Sequence, residues 1–232
     1  MSYKETPGIR QITLLRAILN RPILISLFDY SGCWAEPYRR AGYRVLQVDK
    51  KLGFDIFKWD YKAIRKGVVS GILAAPPYTD FAVSGAQYWK SKDKNGTTAL
   101  SVKQVKKILE IVKHFNPIFW VIENPVGRLN ELVPELKKFG PWYWQPFWFG
   151  DQWTKKTGLW GKFNKPKITN KTMPLKFSSQ GSWTQILGGK SEIVKEMRSI
   201  TPAGFAKAFF EANPLETKTE SNMVVPKIKI AA

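Results

Sequence analysis

Four short clusters hold the residues of this chain whose types and spacing could do chemistry: Phe28-Asp29-Tyr30-Ser31-Gly32-Cys33-Trp34, Asp49-Lys50 with Asp55-Ile56 following, Ala75-Pro76-Pro77-Tyr78, and Glu123-Asn124-Pro125-Val126-Gly127. The first is a glycine-containing loop between an apolar run and a helical pattern, which lets a ligand approach the backbone. Asp49 closes the next apolar run, where a carboxylate can take both hydroxyls of a ribose. Enzymes that hold a dinucleotide cradle its pyrophosphate with three glycines. The stretch from Asp29 to Trp34 has one, so a nucleoside ligand without phosphate, such as S-adenosylmethionine, fits better. Asp55 is then placed to accept from an adenine amino group. Cys33 is the only cysteine and His114 the only histidine, which excludes an internal disulfide and a zinc site built from the two.

These clusters need elements to hold them. Ile23 to Phe28 reads as a buried strand, Ala35 to Ala41 as a helix ended by Gly42, and Arg44 to Val48 as a second strand, the pattern of a βαβ unit. Asp55-Ile56 sits where a third strand would end. Gly71 to Ala75 reads as a fourth, stopped by Pro76-Pro77 because proline cannot donate to a sheet ladder. Thr79 to Thr98, rich in Gly, Ser, Lys and Asp, reads as a long mobile loop that closes on binding. From Ser101, apolar residues recur at helical spacing (Val102, Val105, Ile108, Leu109, Val112, Phe115), and Ile118 to Ile122 is a fifth strand with Glu123 at its carboxyl end. Strands alternating with helices predict a Rossmann-like α/β fold. Its sheet is mostly parallel, with helices on both faces and ligands beyond the carboxyl ends of the strands. Pro141 to Trp153 alternates aromatic and turn residues as a hairpin would, its rings reading as the core of an antiparallel edge. Thr201-Pro202 opens a last helix to about Ala212. The chain thus divides into an N-terminal extension (1–21), a core (22–163), a small basic segment (164–200), a closing helix (201–214) and a tail (215–232).

Charge narrows the partners. The 232 residues carry 37 Lys+Arg against 18 Asp+Glu, a net +19, together with 44% apolar residues. Repulsion on that scale opposes compaction unless a polyanion screens it, and nucleic acid is the default polyanion. Apolar runs fall short of a membrane span and no charged-then-apolar leader opens the chain, so a soluble, cytoplasmic monomer is expected. Seven lysines lie between Trp153 and Lys176 without one acidic residue, interleaved with Trp153, Trp160 and Phe163, a composition suited to nucleic-acid contact. Lys155, Lys156 and Lys162 from this run, with Lys90 and Arg128, are the candidate contacts.

In order along the chain, Leu27 to Trp34, Pro76-Pro77, Glu123-Asn124-Pro125-Val126-Gly127 and Thr201-Pro202-Ala203-Gly204-Phe205-Ala206 resemble the cofactor loop, catalytic loop, glutamate motif and closing helix of the DNA cytosine carbon-5 methyltransferases, in particular small phage-type members. The resemblance spans roughly Ile23 to Pro214. It implies an S-adenosylmethionine-binding sheet and a cytosine flipped out of DNA. Phe28, Asp29, Tyr30, Ser31, Gly32, Asp49, Lys50, Asp55, Ile56 and Pro76 would then line the cofactor. Pro76, Pro77, Tyr78, Glu123 and Asn124 would carry the chemistry. The family's cysteine, which attacks ring carbon-6, is replaced here by Tyr78, a poor carbon nucleophile. Ala75-Pro76-Pro77-Tyr78 instead is similar to the Pro-Pro-Tyr motif of amino-methyltransferases, in which the aromatic ring stacks on the base and a proline carbonyl accepts from its exocyclic amine. Two other readings stay open: a methyltransferase-like DNA-binding protein without transfer activity, and a base-modification enzyme with another nucleic-acid substrate.

Overall fold

In the computed structural model, residues 21–174 and 191–215 are described. The expected N-terminal extension before residue 21, residues 175–190 of the basic segment and the tail beyond Leu215 lie outside the described residues. The elements run β1 (Ile23–Leu27), α1 (Glu36–Arg40), β2 (Arg44–Val48), β3 (Val69–Ala74), α2 (Trp89–Lys94), α3 (Thr97–Phe115), β4 (Phe119–Pro125), α4 (Leu129–Leu132), β5 (Trp142–Trp144), β6 (Thr157–Lys162), α5 (Glu192–Ser199) and α6 (Ala203–Ala212).

One six-stranded sheet in the order β2-β1-β3-β4-β6-β5 organises them. The first four strands are parallel, and β6 runs antiparallel to both β4 and β5. β1 and β3 read as near-continuous apolar runs because both of their faces are covered. On one face Ile25, Leu27, Ile72, Trp120 and Ile122 pack against Val105, Ile108, Ile111 and Phe115 of α3. On the other, Leu24, Leu73, Phe119 and Val121 meet Trp34 and Tyr38 with Phe205 and Phe209 of α6. Trp144 stacks on Phe205 at 3.6 Å between ring centroids, both fully buried, and burial of a phenylalanine of this kind is worth roughly 2–3 kcal/mol. The result is a mixed α/β fold with helices on both faces of the sheet.

Three local expectations differ from the structure. Asp55-Ile56 ends no strand: the chain between β2 and β3 makes short 3-10 turns at Lys50–Leu52 and Tyr61–Ala63. Gly53 takes a left-handed conformation (φ 86°) and the Asp55 carboxylate accepts from the Phe57 N–H at 2.9 Å, local bonding that replaces a ladder. Thr79 to Thr98 is mostly helical, with a 3-10 turn at Val83–Tyr88 followed by α2, and α3 begins at Thr97, where the Asn95 side chain accepts from the Thr97 N–H. Finally, β5 pairs with β6 from the lysine-rich run. β6 lies between β4 and β5, so the hairpin completes the main sheet, with Trp144, Phe147 and Phe149 in the core as read. Among the described residues no helix is long and apolar enough to cross a membrane.

Candidate active site

The parallel strands end together. Leu27 is level with Val48 on one side and Ala74 on the other, Ala74 is level with Ile122, and the ladder continues through Phe28 N–H to Val48 and Ala75 N–H to Leu27. All four clusters therefore emerge on one edge, the place where open α/β sheets hold ligands.

Phe28 leaves β1 with φ 58°, a left-handed conformation that costs a non-glycine residue about 1–3 kcal/mol and turns the chain out of the sheet. Asp29 then folds inward. It is buried, accepting from the hydroxyls of Ser26 (2.8 Å) and Ser31 (3.3 Å), and burial raises its pKa against the lowering effect of those bonds. Gln47 donates to the Asp29 carbonyl at 2.8 Å, and a Cβ on Gly32 would sit 2.9 Å from that same amide, so glycine is needed there (φ 68°). Asp29 thus braces the loop from within, while Tyr30 and Ser31 are exposed on its rim, with the Lys51 ammonium 5.2 Å from the centre of the Tyr30 ring.

Asp49 follows β2 and accepts from the Lys51 N–H through one oxygen; Asp55 does the same for Phe57. Each keeps its second oxygen free among the described residues. Lys50 is exposed and Ile56 belongs to the core, shaping the floor rather than offering polar atoms. Two carboxylates with a free oxygen and the exposed rings of Tyr30, Phe54 and Phe57 match the hydroxyls, amine and flat base of an adenosine. The donor set therefore fits S-adenosylmethionine.

A cavity of about 560 Å³ continues from this loop, between Ser31-Gly32-Cys33 and the α5–α6 junction at Arg198 and Thr201-Pro202, with Asp151 and Lys155 in its wall. Asp151 stands at the amino end of α6, where burial raises its pKa and the Gly204 and Phe205 backbone opposes that rise, and its Oδ2 is buried without a hydrogen-bond partner among the described residues. Neither Asp151 nor Arg198 is marked by the sequence pattern; a Gly-Asp turn inside an aromatic run was the available signal for the first, and the second has none.

Beyond β3, Pro76 is buried, Pro77 exposed and Tyr78 half-buried. Asn124 donates its amide to the Pro76 carbonyl at 3.3 Å, while its own carbonyl oxygen, fully buried, has no partner among the described residues. Burial raises the pKa of Tyr78. The Glu123 carboxylate raises it further and the Arg198 guanidinium opposes both. Burial also raises the pKa of Glu123, opposed by the Lys155 charge. Tyr78, Glu123, Lys155 and Arg198 thus share one electrostatic neighbourhood at the strand ends. The Lys155 ammonium donates to the Arg198 carbonyl at 3.1 Å, which ties the start of β6 to α5.

The proposed nucleic-acid contacts divide. Lys90 and Lys156 are exposed, Lys156 over the Tyr143 ring, and Lys155 is part of the site. Lys162 lies at the far end of β6, level with Trp120 near the start of β4, so it sits on the opposite edge of the sheet from Glu123. Arg128 is not a surface contact either. It is buried, grips Asp93 with two bonds of 2.8 and 2.7 Å, donates to the Asp80 carbonyl and to Thr98, and lies 4.5 Å from the Trp89 ring centre. With Gly127, whose Cβ would fall 1.8 Å from the Phe81 carbonyl oxygen, it clamps the segment after Tyr78 onto the end of β4.

Replacing Arg128 by glutamine is expected to lower the melting temperature by roughly 5 °C, from loss of its charge-assisted bonds to Asp93 and its bonds to the Asp80 carbonyl and Thr98, and to speed amide exchange across residues 79–98. In the native protein Arg128 pulls the Asp93 carboxyl from 3.8 down to about 2. A depressed carboxylate contributes fully above its unfolded value, so this contribution holds above pH 3.8 and fades as pH falls toward about 2. Unchanged exchange in the variant would remove the clamp.

No protein-family model matches the chain, and no curated protein sequence matches it. Among solved structures it is similar to a proposed DNA modification methyltransferase encoded within a prophage of E. coli, at 17% identity over 68% of this chain and 52% of that one, TM-score 0.41. It is also similar to the Entamoeba histolytica methyltransferase EhMeth, at 13% identity over 74% of this chain and 61% of that one, TM-score 0.40. The chain thus spans less than two thirds of the length of either.

Proposed function

We propose that the protein is an S-adenosylmethionine-dependent DNA methyltransferase that acts on the exocyclic amine of a flipped cytosine. The observation that supports this most is the grouping of Tyr78, the Pro76 carbonyl and Glu123 at the strand ends, beside a cavity bounded by the β1 loop and α6. Ser31, Gly32, Asp49 and Asp55 would hold the donor. When bound, S-adenosylmethionine supplies a methyl carbon made electrophilic by its sulfonium. Tyr78 stacks on the extruded base. The Pro76 carbonyl, which has a second lone pair beyond the one engaged by Asn124, would accept one amine hydrogen and orient the nitrogen. The Glu123 carboxylate accepts the other hydrogen and takes the proton released as the nitrogen–carbon bond forms and the carbon–sulfur bond breaks. No covalent bond from protein to base is needed, which is consistent with a phenol standing where a thiol would be required.

Incubating duplex DNA with the protein and methyl-labelled cofactor, then separating the nucleosides by chromatography and mass, tests the reading. N4-methylcytosine is the expected product. Absence of any methylated base with cofactor still bound would replace it by the second reading, a methyltransferase-like DNA-binding protein, which the loss of the family's cysteine at Tyr78 favours.

A further inference from the structure

The edge of the sheet opposite the candidate active site is the less expected surface. There the chain enters β1, β2, β3 and β4. Ile23 N–H bonds Val68, Arg44 N–H bonds Pro22, and Ile118 N–H bonds Ser70, so these strand starts lie side by side. Arg21 reaches the Gly42 carbonyl at 3.0 Å on the same edge, and Lys162 closes the row beside the start of β4. The 3-10 turn at Tyr61–Ala63 docks on the last turn of α3, the Tyr61 ring edge-on to His114 at 5.2 Å and to Phe115 at 6.1 Å. That contact brings Lys62 and Lys66 to the His114 end of α3, the turn that also carries Lys113. His114 registers the crowding: burial first, and the charges of Lys66 and Lys62 with it, hold its pKa below the ordinary range.

Six cations, Arg21, Arg44, Lys62, Lys66, Lys113 and Lys162, are exposed along this edge. None of them is in an ion pair among the described residues. The ion-paired cations among the described residues are others: Arg39 and Arg40 with Glu36, Lys51 with Glu196, Lys92 with Asp80, Lys106 with Glu135, Lys107 with Glu110, Arg128 with Asp93, and Lys207 with Glu211. The acids at this edge are Asp60, Glu110 and, at the end of α6 beside Asn164, Glu211; Glu110 is engaged by Tyr61 and Lys107, and Glu211 by Lys207. Five strands at about 4.8 Å spacing make an edge about 20 Å wide. A duplex carries about a dozen phosphates in that length. A lipid surface is a poorer match, because Ile118 is the one large apolar side chain exposed where the parallel strands begin among the described residues, too little to insert.

We propose that this edge is a second nucleic-acid surface, which holds the backbone of another DNA duplex while the opposite edge works on its target. The surface reads phosphate and not sequence, and its existence does not depend on the methyl-transfer reading, because binding alone tests it.

The test uses the full chain, a short duplex, and the fourfold variant Arg44→Gln, Lys62→Gln, Lys66→Gln, Lys113→Gln. Lys155→Gln with Lys156→Gln on the other edge serves as the comparison. Sedimentation at low salt counts duplexes per protein, and titrations at several salt concentrations give the slope of log affinity against log salt. The fourfold variant is expected to bind one duplex fewer than the native chain and to lose about 0.9 of slope per phosphate contact removed, with an unchanged melting temperature. The double variant keeps that binding event. The same stoichiometry and slope in native and fourfold variant would overturn the proposal. So would a fourfold variant that binds duplex normally and instead loses affinity for phosphatidylserine vesicles or for single-stranded RNA.

Discussion

Glu123→Gln is expected to lower the rate of methyl transfer by about 10²–10⁴-fold while leaving cofactor affinity unchanged, because it removes a proton acceptor without changing the shape of the side chain. The carboxylate stands one residue past the apolar part of β4, with its backbone level with Leu159 of β6. That placement leaves it half-buried between β4 and β6, and this burial raises its pKa against the pull of Lys155. A carboxylate must be ionised to accept the amine proton, so the rate should rise with pH through this raised pKa. The acid limb then lies above the ordinary glutamate range. Lys155→Met, which removes the opposing cation, should move that limb to higher pH. The sign for stability is opposite to the sign for activity. A carboxyl whose pKa is higher in the fold than in the unfolded chain stabilises the fold below the unfolded value, and loses that contribution as pH rises through the folded one. Glu123→Gln should therefore melt no lower than the native chain at pH 7, and their difference should shrink toward pH 4. A variant of full activity would dismiss Glu123 as the acceptor. A variant that melts much lower at pH 7 would make it a structural carboxylate.

The strands that carry the site were legible because each is an apolar run stopped by a residue with a strong local rule. Arg44 to Val48 reads as a strand with the bounds it has, and Pro76-Pro77 ends β3 where a ladder cannot continue. The elements that the pattern hides are those set by contacts distant in sequence. α2 has no apolar stripe, and it is held through Asp93 by an arginine 35 residues away, so its sequence reads as loop. β6 reads as a basic surface run because two of its six residues are glycines, and those glycines are there for packing. A Cβ on Gly161 would fall 2.1 Å from the Trp120 carbonyl oxygen, and one on Gly158 would meet the Trp160 ring at 2.8 Å. Charge misled in the same way. A lysine count gives no edge of the sheet, and only the antiparallel register separates Lys155 at the site from Lys162 on the far side. Arg128 looked like a contact for phosphate until its two bonds to Asp93 placed it inside.

Tyr78→Ala should reduce kcat/KM by roughly 5- to 150-fold, the loss of one base–aromatic stack worth about 1–3 kcal/mol, whereas Tyr78→Phe should stay within a few-fold of native. The two outcomes follow from how the ring is held. Burial raises its pKa, with the Arg198 charge opposing and the Glu123 charge adding, so the phenol is un-ionised at neutral pH and supplies neither a base nor a nucleophile there. What remains is a flat, half-buried surface beside the Pro76 carbonyl, and phenylalanine supplies the same surface. Tyr78→Cys distinguishes this account from one in which the site merely lost its nucleophile. If the strand ends still have the geometry for attack on ring carbon-6, the cysteine variant will yield 5-methylcytosine, separable by chromatography from the N4 isomer of equal mass. If Tyr78 is a stacking residue in an amine-methylating site, the cysteine variant will behave like Tyr78→Ala, with a weakened yield of the N4 product and no carbon-5 product. A loss as deep in Tyr78→Phe as in Tyr78→Ala would shift the role from the ring to the hydroxyl and overturn the stacking assignment.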